Sequence, residues 1–175
     1  MSSVPNRDPG GVPAARQHLL ASFDREQATT LRVLKALPKE KSELRPAPAC
    51  KTARELAWMF VLAQGAMEKG LTSGFDWSKP PAFPPPPEAY GEVLATFEKG
   101  HARVVELLRG LTDADLTRPI QFFTGPGKIG DIPMYDFLWL MLKDQVHHRG
   151  QFSIYLRMAD AKVPSIYGPT ADERW

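Results

Sequence analysis

The sequence predicts a single all-α domain, an up-and-down four-helix bundle with a short irregular or hairpin insert before its last helix. The 17 prolines fall into clusters. Proline breaks helix interiors, so these clusters mark the connections between helices. The long stretches between the clusters repeat apolar residues at helical spacing, and no pattern of parallel strands or internal repeats is present. A length of 175 residues suits one domain with one core.

Four stretches fit long amphipathic helices. The second has the clearest start, because Thr52 and Glu55 have the spacing of a capping box, in which each side chain satisfies a backbone donor. Residues 118–133 predict a loop or short hairpin, and residues 163–175 an irregular strap. Residues 1–13 predict a disordered tail before a single domain of residues 14–175. The predicted helices are residues 14–37, 53–71, 88–111 and 134–159.

The overall composition argues against two classes of binding partner, nucleic acids and membranes. With 22 basic and 20 acidic residues the net charge is only +2, which gives no basic face for nucleic acid and no attraction to an anionic membrane. The most apolar run, residues 135–142, is far shorter than the ~20 residues of a membrane span. We therefore expect neither nucleic acid nor a membrane as partner. A lone Cys50 and the absence of a signal-peptide pattern predict a cytoplasmic protein.

Two polar residues of the last helix are the main candidates for chemistry. Asp144 and His148 are four residues apart, so they project from one face, and the predicted apolar stripe of Phe137, Phe152 and Tyr155 places both inside the core. Burying them costs several kcal/mol unless they are paired or bound. They form either a satisfied polar pair, which the pattern alone favours, or ligands of a divalent metal ion.

Other reactive side chains have simpler interpretations. His147 is expected on the flank of the bundle, while His101 and His18, among polar neighbours, are expected in solvent. Cys50 lacks a neighbouring base and is expected to be inert. Arg149 is expected to point away from the buried stripe, into an ion pair or an interface.

The aromatic residues predict contacts between helices and between chains. Four aromatic residues of the last helix are expected in the core and at the helix interfaces rather than in a cofactor site. Trp58 and Trp139 lie off the apolar stripes, so they need cover that one bundle does not obviously supply, and this favours a homodimer. The four aromatic residues so assigned are Tyr135, Phe137, Trp139 and Phe152.

Motifs in the second and last helices resemble those of the DinB-like (YfiT-like) superfamily. The fit extends from about residue 15 to residue 173. It is most specific near the end of the chain and covers the start of the second helix more loosely. The motifs are Thr52-Ala-Arg-Glu55-Leu-Ala-Trp58, His147-His148-Arg149-Gly150-Gln151, Tyr155-Leu-Arg157, Val163-Pro-Ser165, Tyr167-Gly-Pro169 and Asp172-Glu173.

The resemblance implies an up-and-down four-helix bundle, often dimeric, in which three histidines commonly hold a divalent metal. His148 matches the third of these ligands, whereas Asp144 and Met59 stand where the other two usually are. Aspartate is an acceptable ligand, but a thioether suits Ni, Zn or Fe poorly. Glu55, one turn before Met59, is already used by the capping box. The resemblance therefore implies a degenerate metal site at Met59, Asp144 and His148.

Two functions remain open. One is a metal-free relative of uncharacterised activity that binds a small molecule. The other is a metal-dependent transferase, in which a divalent metal (Ni, Zn or Fe) lowers the pKa of a low-molecular-weight thiol. Met59 favours the first, because it removes a ligand on which the second depends.

Overall fold

The structure, a computed structural model, describes residues 15–79 and 83–174, so the predicted disordered tail at residues 1–13 lies outside the described part. Four long helices form the predicted bundle, which is confirmed. None of the helices in the described segments is long and apolar enough to cross a bilayer. The elements are α1 (Ala15–Lys35), α2 (Ala53–Thr72), α3 (Tyr90–Gly110), α4 (Asp113–Thr117), β1 (Pro119–Gly125), β2 (Lys128–Pro133) and α5 (Met134–Met158).

The four long helices occupy the corners of a square. Helices α2 and α1 each pack against both α3 and α5. Leu34 near the end of α1 shares a core cluster with Phe60 and Val93 from the first halves of α2 and α3, and with Phe152 from the second half of α5. Helices α2 and α3 therefore run in the same direction, opposite to α1 and α5. The end of α2 and the start of α3 therefore lie at opposite ends of the bundle, and the helix directions do not alternate as the predicted up-and-down order requires.

A layer of three glutamines separates the two apolar clusters of the core. Gln27 of α1 donates through Nε2 to Gln145 Oε1 of α5 at 2.6 Å, and Gln64 of α2 donates to Gln27 Oε1 at 3.2 Å. Each is at most 2% exposed. A buried polar group without a partner is costly, so this layer holds the three helices in one relative register.

Gly70 of α2 lies directly against the Phe137 ring of the last helix. A Cβ at this position would lie 2.6 Å from Phe137 Cε1 and 3.0 Å from Ile120 Cδ1. We expect Gly70→Ala to lower the free energy of unfolding by about 1–3 kcal/mol, because the buried ring cannot move aside without strain. Urea denaturation followed by circular dichroism measures this change.

The matched control lies on the same helix. A Cβ on Gly65 meets no atom within 4 Å. Gly65→Ala should therefore raise the free energy of unfolding by about 0.5–1 kcal/mol, as alanine does in an open helix position. If both variants moved stability in the same direction, crowding at Gly70 would not be the cause.

The predicted loop or hairpin before the last helix is a hairpin. Strands β1 and β2 pair antiparallel, and the connection contains Gly127 at a φ of +66°. The Met134 amide donates to Arg118 O at 2.9 Å, which joins the base of the hairpin to the start of α5. Phe122 is buried against Phe137, with ring centroids 4.8 Å apart. The hairpin thus closes one end of the bundle.

The predicted irregular strap, described to residue 174, is confirmed and is held by two carboxylates. Asp172 accepts from the Val163 amide at 2.9 Å, and Glu173 accepts from the Ser165 amide at 2.7 Å. Arg157 forms an ion pair with Asp172. Arg32 Nη2 lies 2.7 Å from both carboxylate oxygens of Glu173. These contacts join the strap to α5 and α1.

The strap should loosen in acid. The pKa of Asp172 lies below its ordinary 3.8 and that of Glu173 below 4.5, chiefly because the amides of Val163 and Ser165 donate to the charged carboxylates. Since each pKa is lower in the folded chain, the strap contacts contribute fully above these ordinary values and are lost as the pH falls through the folded-state pKa.

Amide chemical shifts in an NMR titration measure the effect. The shifts of Val163 and Ser165 should titrate with midpoints below 3.8 and 4.5, the ordinary values of their acceptors. In Asp172→Asn the Val163 transition should disappear while that of Ser165 remains. Midpoints at or above the ordinary values would show that these carboxylates do not hold the strap.

Candidate functional site

A cavity of about 640 Å³ opens between α2, α5 and the hairpin. One wall is a stripe of α2 that includes Met59, Ala63 and Ala66, at the spacing of one helix face. Leu140 and Asp144 of α5 contribute to the opposite wall. Small side chains on α2 leave the space that these walls enclose.

Aromatic rings close one end of the cavity. Trp77 packs edge-on against Phe123 at 5.0 Å between centroids, and Phe75 contacts Phe122 at 5.2 Å. The Trp77 indole donates to Gln121 O at 3.1 Å, which ties this segment to the hairpin. Phe123 remains 46% exposed. The cavity is thus largely apolar and has incompletely covered aromatic rings at its edge.

The charged groups at the aromatic end of the cavity contact one another or an aromatic ring. Asp76 Oδ2 lies 3.7 Å from Lys79 Nζ, and its Oδ1 accepts from the Ser78 amide at 3.1 Å. Hydrogen bonds from Ser78 lower the pKa of Asp76 below its ordinary value. Lys69 Nζ lies 5.9 Å from the ring centroid of Phe75, a cation–π contact. Both lysine ammonium groups therefore have partners within the chain.

Asp144 and His148 lie together as predicted, but the expectation that both are buried was wrong. Asp144 Oδ2 and His148 Nε2 are 3.5 Å apart, with side chains 43% and 18% exposed. The buried face of α5 instead includes Gln145 and Arg149, each one residue further along the chain. A helix turns about 100° per residue, so this offset moves the pair from the centre of the core to its flank.

A chain of contacts continues from this pair along the outside of α5. His148 Nδ1 lies 3.1 Å from Gln151 Oε1, and Gln151 Nε2 lies 3.1 Å from His147 Nε2. His147 is exposed on the flank, as predicted. His148 Nδ1 therefore faces Gln151, and its Nε2 faces Asp144. One edge-on contact with Phe60, at 6.3 Å, supports the ring.

The residues present do not fit a standard three-ligand metal centre. Met59 lines the same cavity as Asp144, but it offers only a thioether. Glu55 is engaged in the confirmed capping box, where it accepts from the Thr52 amide at 2.7 Å. That backbone donor lowers the pKa of Glu55. Within residues 15–79 and 83–174, no group of three or more His, Cys, Asp or Glu is arranged to hold a metal ion.

The prediction for Arg149 was right about an ion pair and wrong about its direction. It was expected to point away from the buried stripe, yet it is only 1% exposed. Its Nη2 pairs with Glu26 Oε2 at 2.6 Å and donates to Tyr167 OH at 2.6 Å, while Nη1 donates to Glu26 O at 3.0 Å. Sequence reasoning missed this cluster because Glu26 is 123 residues away along the chain. The one signal in the sequence was that Arg149 lies four residues after Gln145, which places both polar side chains on the same face of the helix.

The predictions for three other residues had different outcomes. His101 was expected in solvent, but it stacks on Phe23 at 5.4 Å, and its Nδ1 is buried with no hydrogen-bond partner in the described part of the chain. Burial lowers the pKa of its imidazole. His18 is exposed, as predicted, and Cys50 is partly buried in a loop. None of these residues lines the cavity.

The two tryptophans that suggested a homodimer have contacts inside the chain. Trp58 donates its indole N–H to Pro84 O at 2.7 Å. Trp139 contacts His18 and Tyr135, at centroid distances of 5.5 and 6.2 Å. These tryptophans therefore no longer argue for a dimer, which stays a prediction.

Comparisons with known proteins agree with this fold. The model of the DinB family matches residues 11–174 of the chain. The chain is 32% identical to the uncharacterised protein YrdA from Bacillus subtilis over 162 residues, which is 90% of each protein.

Solved structures show the same architecture. A DinB-like protein from Bacillus cereus aligns with a TM-score of 0.73 and 28% identity, over 86% of this chain and 97% of that one. YfiT from Bacillus subtilis, described as a probable metal-dependent hydrolase with an unusual four-helix bundle topology, aligns with a TM-score of 0.64. Its identity is 16%, over 90% of this chain and 94% of YfiT, so it supports the fold alone. The match to the family model covers nearly the whole chain, and the protein therefore belongs to the DinB family.

Proposed function

We propose that this DinB-family protein binds a small, mainly apolar molecule in the cavity between α2, α5 and the hairpin. The observation that carries the proposal is the cavity itself. Its volume of about 640 Å³ lies within the range of ligand sites, ~300–1,000 Å³. Such sites combine apolar and aromatic walls with a few polar groups, and here Asp144 is a polar group on the α5 wall.

The exposed side chains at the cavity edge support the same function. Phe83 is 67% exposed, Phe123 46% and Leu140 41%, and all three line the cavity. Exposed apolar surface gathered in one place marks a binding site more often than scattered residues do. A ligand that covered these side chains would remove their apolar surface from water, which is the main source of affinity in such a site.

The alternative proposal is a metal-dependent enzyme. YfiT is described as a probable metal-dependent hydrolase, and the sequence resemblance implies a transferase that uses a low-molecular-weight thiol. Asp144, which lines the cavity, and His148, 3.5 Å from it, favour this function as two ligands for Ni, Zn or Fe. Met59 disfavours it, because the third donor is a thioether. Elemental analysis of protein dialysed against Ni²⁺ and Zn²⁺ separates the alternatives, since near-stoichiometric metal would favour the enzyme.

We also propose that the protein is cytoplasmic and that it forms a homodimer. A cytoplasmic location is supported by the lone Cys50, which suits a reducing compartment. A homodimer is supported by the sequence resemblance alone. Light scattering that gave the mass of a single chain would exclude the dimer.

Filling the cavity tests the binding function. Phenylbutanol is a suitable neutral probe, and we expect calorimetry to give a Kd on the order of 1 mM or tighter. Ala66→Phe places a ring inside the cavity and should weaken binding at least about tenfold, a change of about 1.4 kcal/mol.

Ala95→Phe is the matched control, because Ala95 is exposed on α3 and away from the cavity. It should bind the probe as the unmodified protein does. Equal binding by both variants, or no binding by the unmodified protein, would contradict the proposed function.

A further inference from the structure

The charges around the cavity are distributed unequally. Lys79 is paired with Asp76, and Lys69 lies over Phe75, so the cations at the aromatic end have partners. Asp144, on the α5 wall, has neither a lysine nor an arginine partner in the described part of the chain; His148 is its ion-pair neighbour. The cavity therefore presents one carboxylate without a permanent counter-ion.

The carboxylate of Asp144 is open to a donor from a ligand. His148 Nε2 lies 3.5 Å from Asp144 Oδ2, beyond the roughly 2.7–3.2 Å of an N–H···O hydrogen bond. Asp144 accepts no hydrogen bond from any residue in the segments that the structure describes. A carboxylate only accepts, so a ligand group that satisfies it donates, and an ammonium group supplies both donors and the opposite charge.

The walls beside Asp144 suit the rest of such a ligand. Leu140 and Ala63 continue the cavity from Asp144 towards the aromatic end as apolar surface. Met59 and Lys69, which bound the α2 wall, are separated by ten residues, or roughly 15 Å along the helix. The cavity is thus longer than a single ring and has the Asp144 carboxylate near one end.

We infer that the ligand is a primary amine with an elongated apolar or aromatic body. Its ammonium group donates to Asp144 Oδ2, and its body lies along α2 towards Trp77 and Phe123. The ammonium group is then the counter-ion that neither lysine nor arginine supplies to Asp144. This inference rests on the proposed function and adds the chemical class of the ligand to it.

Three probes with one skeleton test the inference: phenylbutylamine, phenylbutanol and phenylbutyrate. Calorimetry at a pH near 8, with EDTA to remove trace metal, gives each Kd. We expect the amine to bind about tenfold more tightly than the alcohol, or about 1.4 kcal/mol, and the carboxylate to bind most weakly. Asp144→Asn should abolish the roughly tenfold advantage of the amine over the alcohol.

Asp136→Asn is the matched control, since Asp136 lies on the same helix, is exposed and does not line the cavity. It should keep the advantage of the amine. If the alcohol or the carboxylate bound as tightly as the amine, the inference would be overturned while the proposed function stood. An equal loss for amine and alcohol in Asp144→Asn would also overturn it, and failure of all three probes would remove the proposed function as well.

Discussion

Substituting Met59 by histidine is expected to turn the Asp144–His148 pair into a three-ligand centre that retains Ni²⁺ or Zn²⁺ through dialysis. Met59 lines the same cavity as Asp144, and His148 lies 3.5 Å from that carboxylate. An imidazole in place of the thioether supplies a donor that both metals prefer. Loss of a residue that only supports a ligand already weakens metal binding by about 10–100-fold. An added ligand should therefore tighten it by at least about 100-fold.

Calorimetric titration with Ni²⁺, together with elemental analysis after dialysis, measures this gain. Met59→Leu is the control, because it keeps the size and apolar character of the side chain and adds no donor. Combining Met59→His with His148→Ala should abolish the gain, since only two ligands would remain. Tight, stoichiometric metal in the unmodified protein would contradict the argument, because it would show that Met59 does not interrupt the site.

Arg149→Ala is expected to have the largest effect on stability, a loss of about 3–5 kcal/mol. Arg149 is 1% exposed, and its partner Glu26 has a side chain only 12% exposed. Truncation would leave that carboxylate with little water and without its cation, and would remove the donor to Tyr167 OH in the strap. For a chain of this size each kcal/mol changes Tm by roughly 2–4 °C, so thermal denaturation should show a decrease of roughly 6–20 °C.

Two further variants isolate the cause. Arg157→Ala removes another arginine of α5, but its side chain is 43% exposed in an ion pair with Asp172. It should cost no more than about 1 kcal/mol. Combining Arg149→Met with Glu26→Gln removes both charges and should recover much of the stability lost in Arg149→Ala. A loss below about 1 kcal/mol in Arg149→Ala would mean that solvent replaces the buried pair.

The local elements were predicted well from the sequence because their signals are local. The Thr52–Glu55 capping box starts α2 where the spacing indicated, and the prolines mark the connections. The pairing of Asp144 with His148 also followed from sequence spacing, since residues four apart on a helix are always neighbours. The four-helix class and the family followed from these elements and their motifs.

The sequence could not predict which of two adjacent faces of α5 is buried, because the two faces differ by a shift of only one residue. Its polar residues Asp144, Gln145, His148 and Arg149 occupy two adjacent faces, and either face combines with the aromatic residues to give a plausible apolar stripe. The partners decide between them, because Arg149 pairs with Glu26 and Gln145 with Gln27, both on α1. Contacts across more than a hundred residues leave no periodic signal in either helix.

The number and extent of the long helices, the capping box and the hairpin region follow from the sequence without a structure, because each depends on neighbouring residues or a local motif. The tertiary structure alone decided which face of α5 is buried, that α2 and α3 run in the same direction, and that a cavity of about 640 Å³ opens beside Asp144. The physical reason is that burial and enclosed volume arise only when separate helices pack, and packing is governed by contacts between residues far apart in the chain.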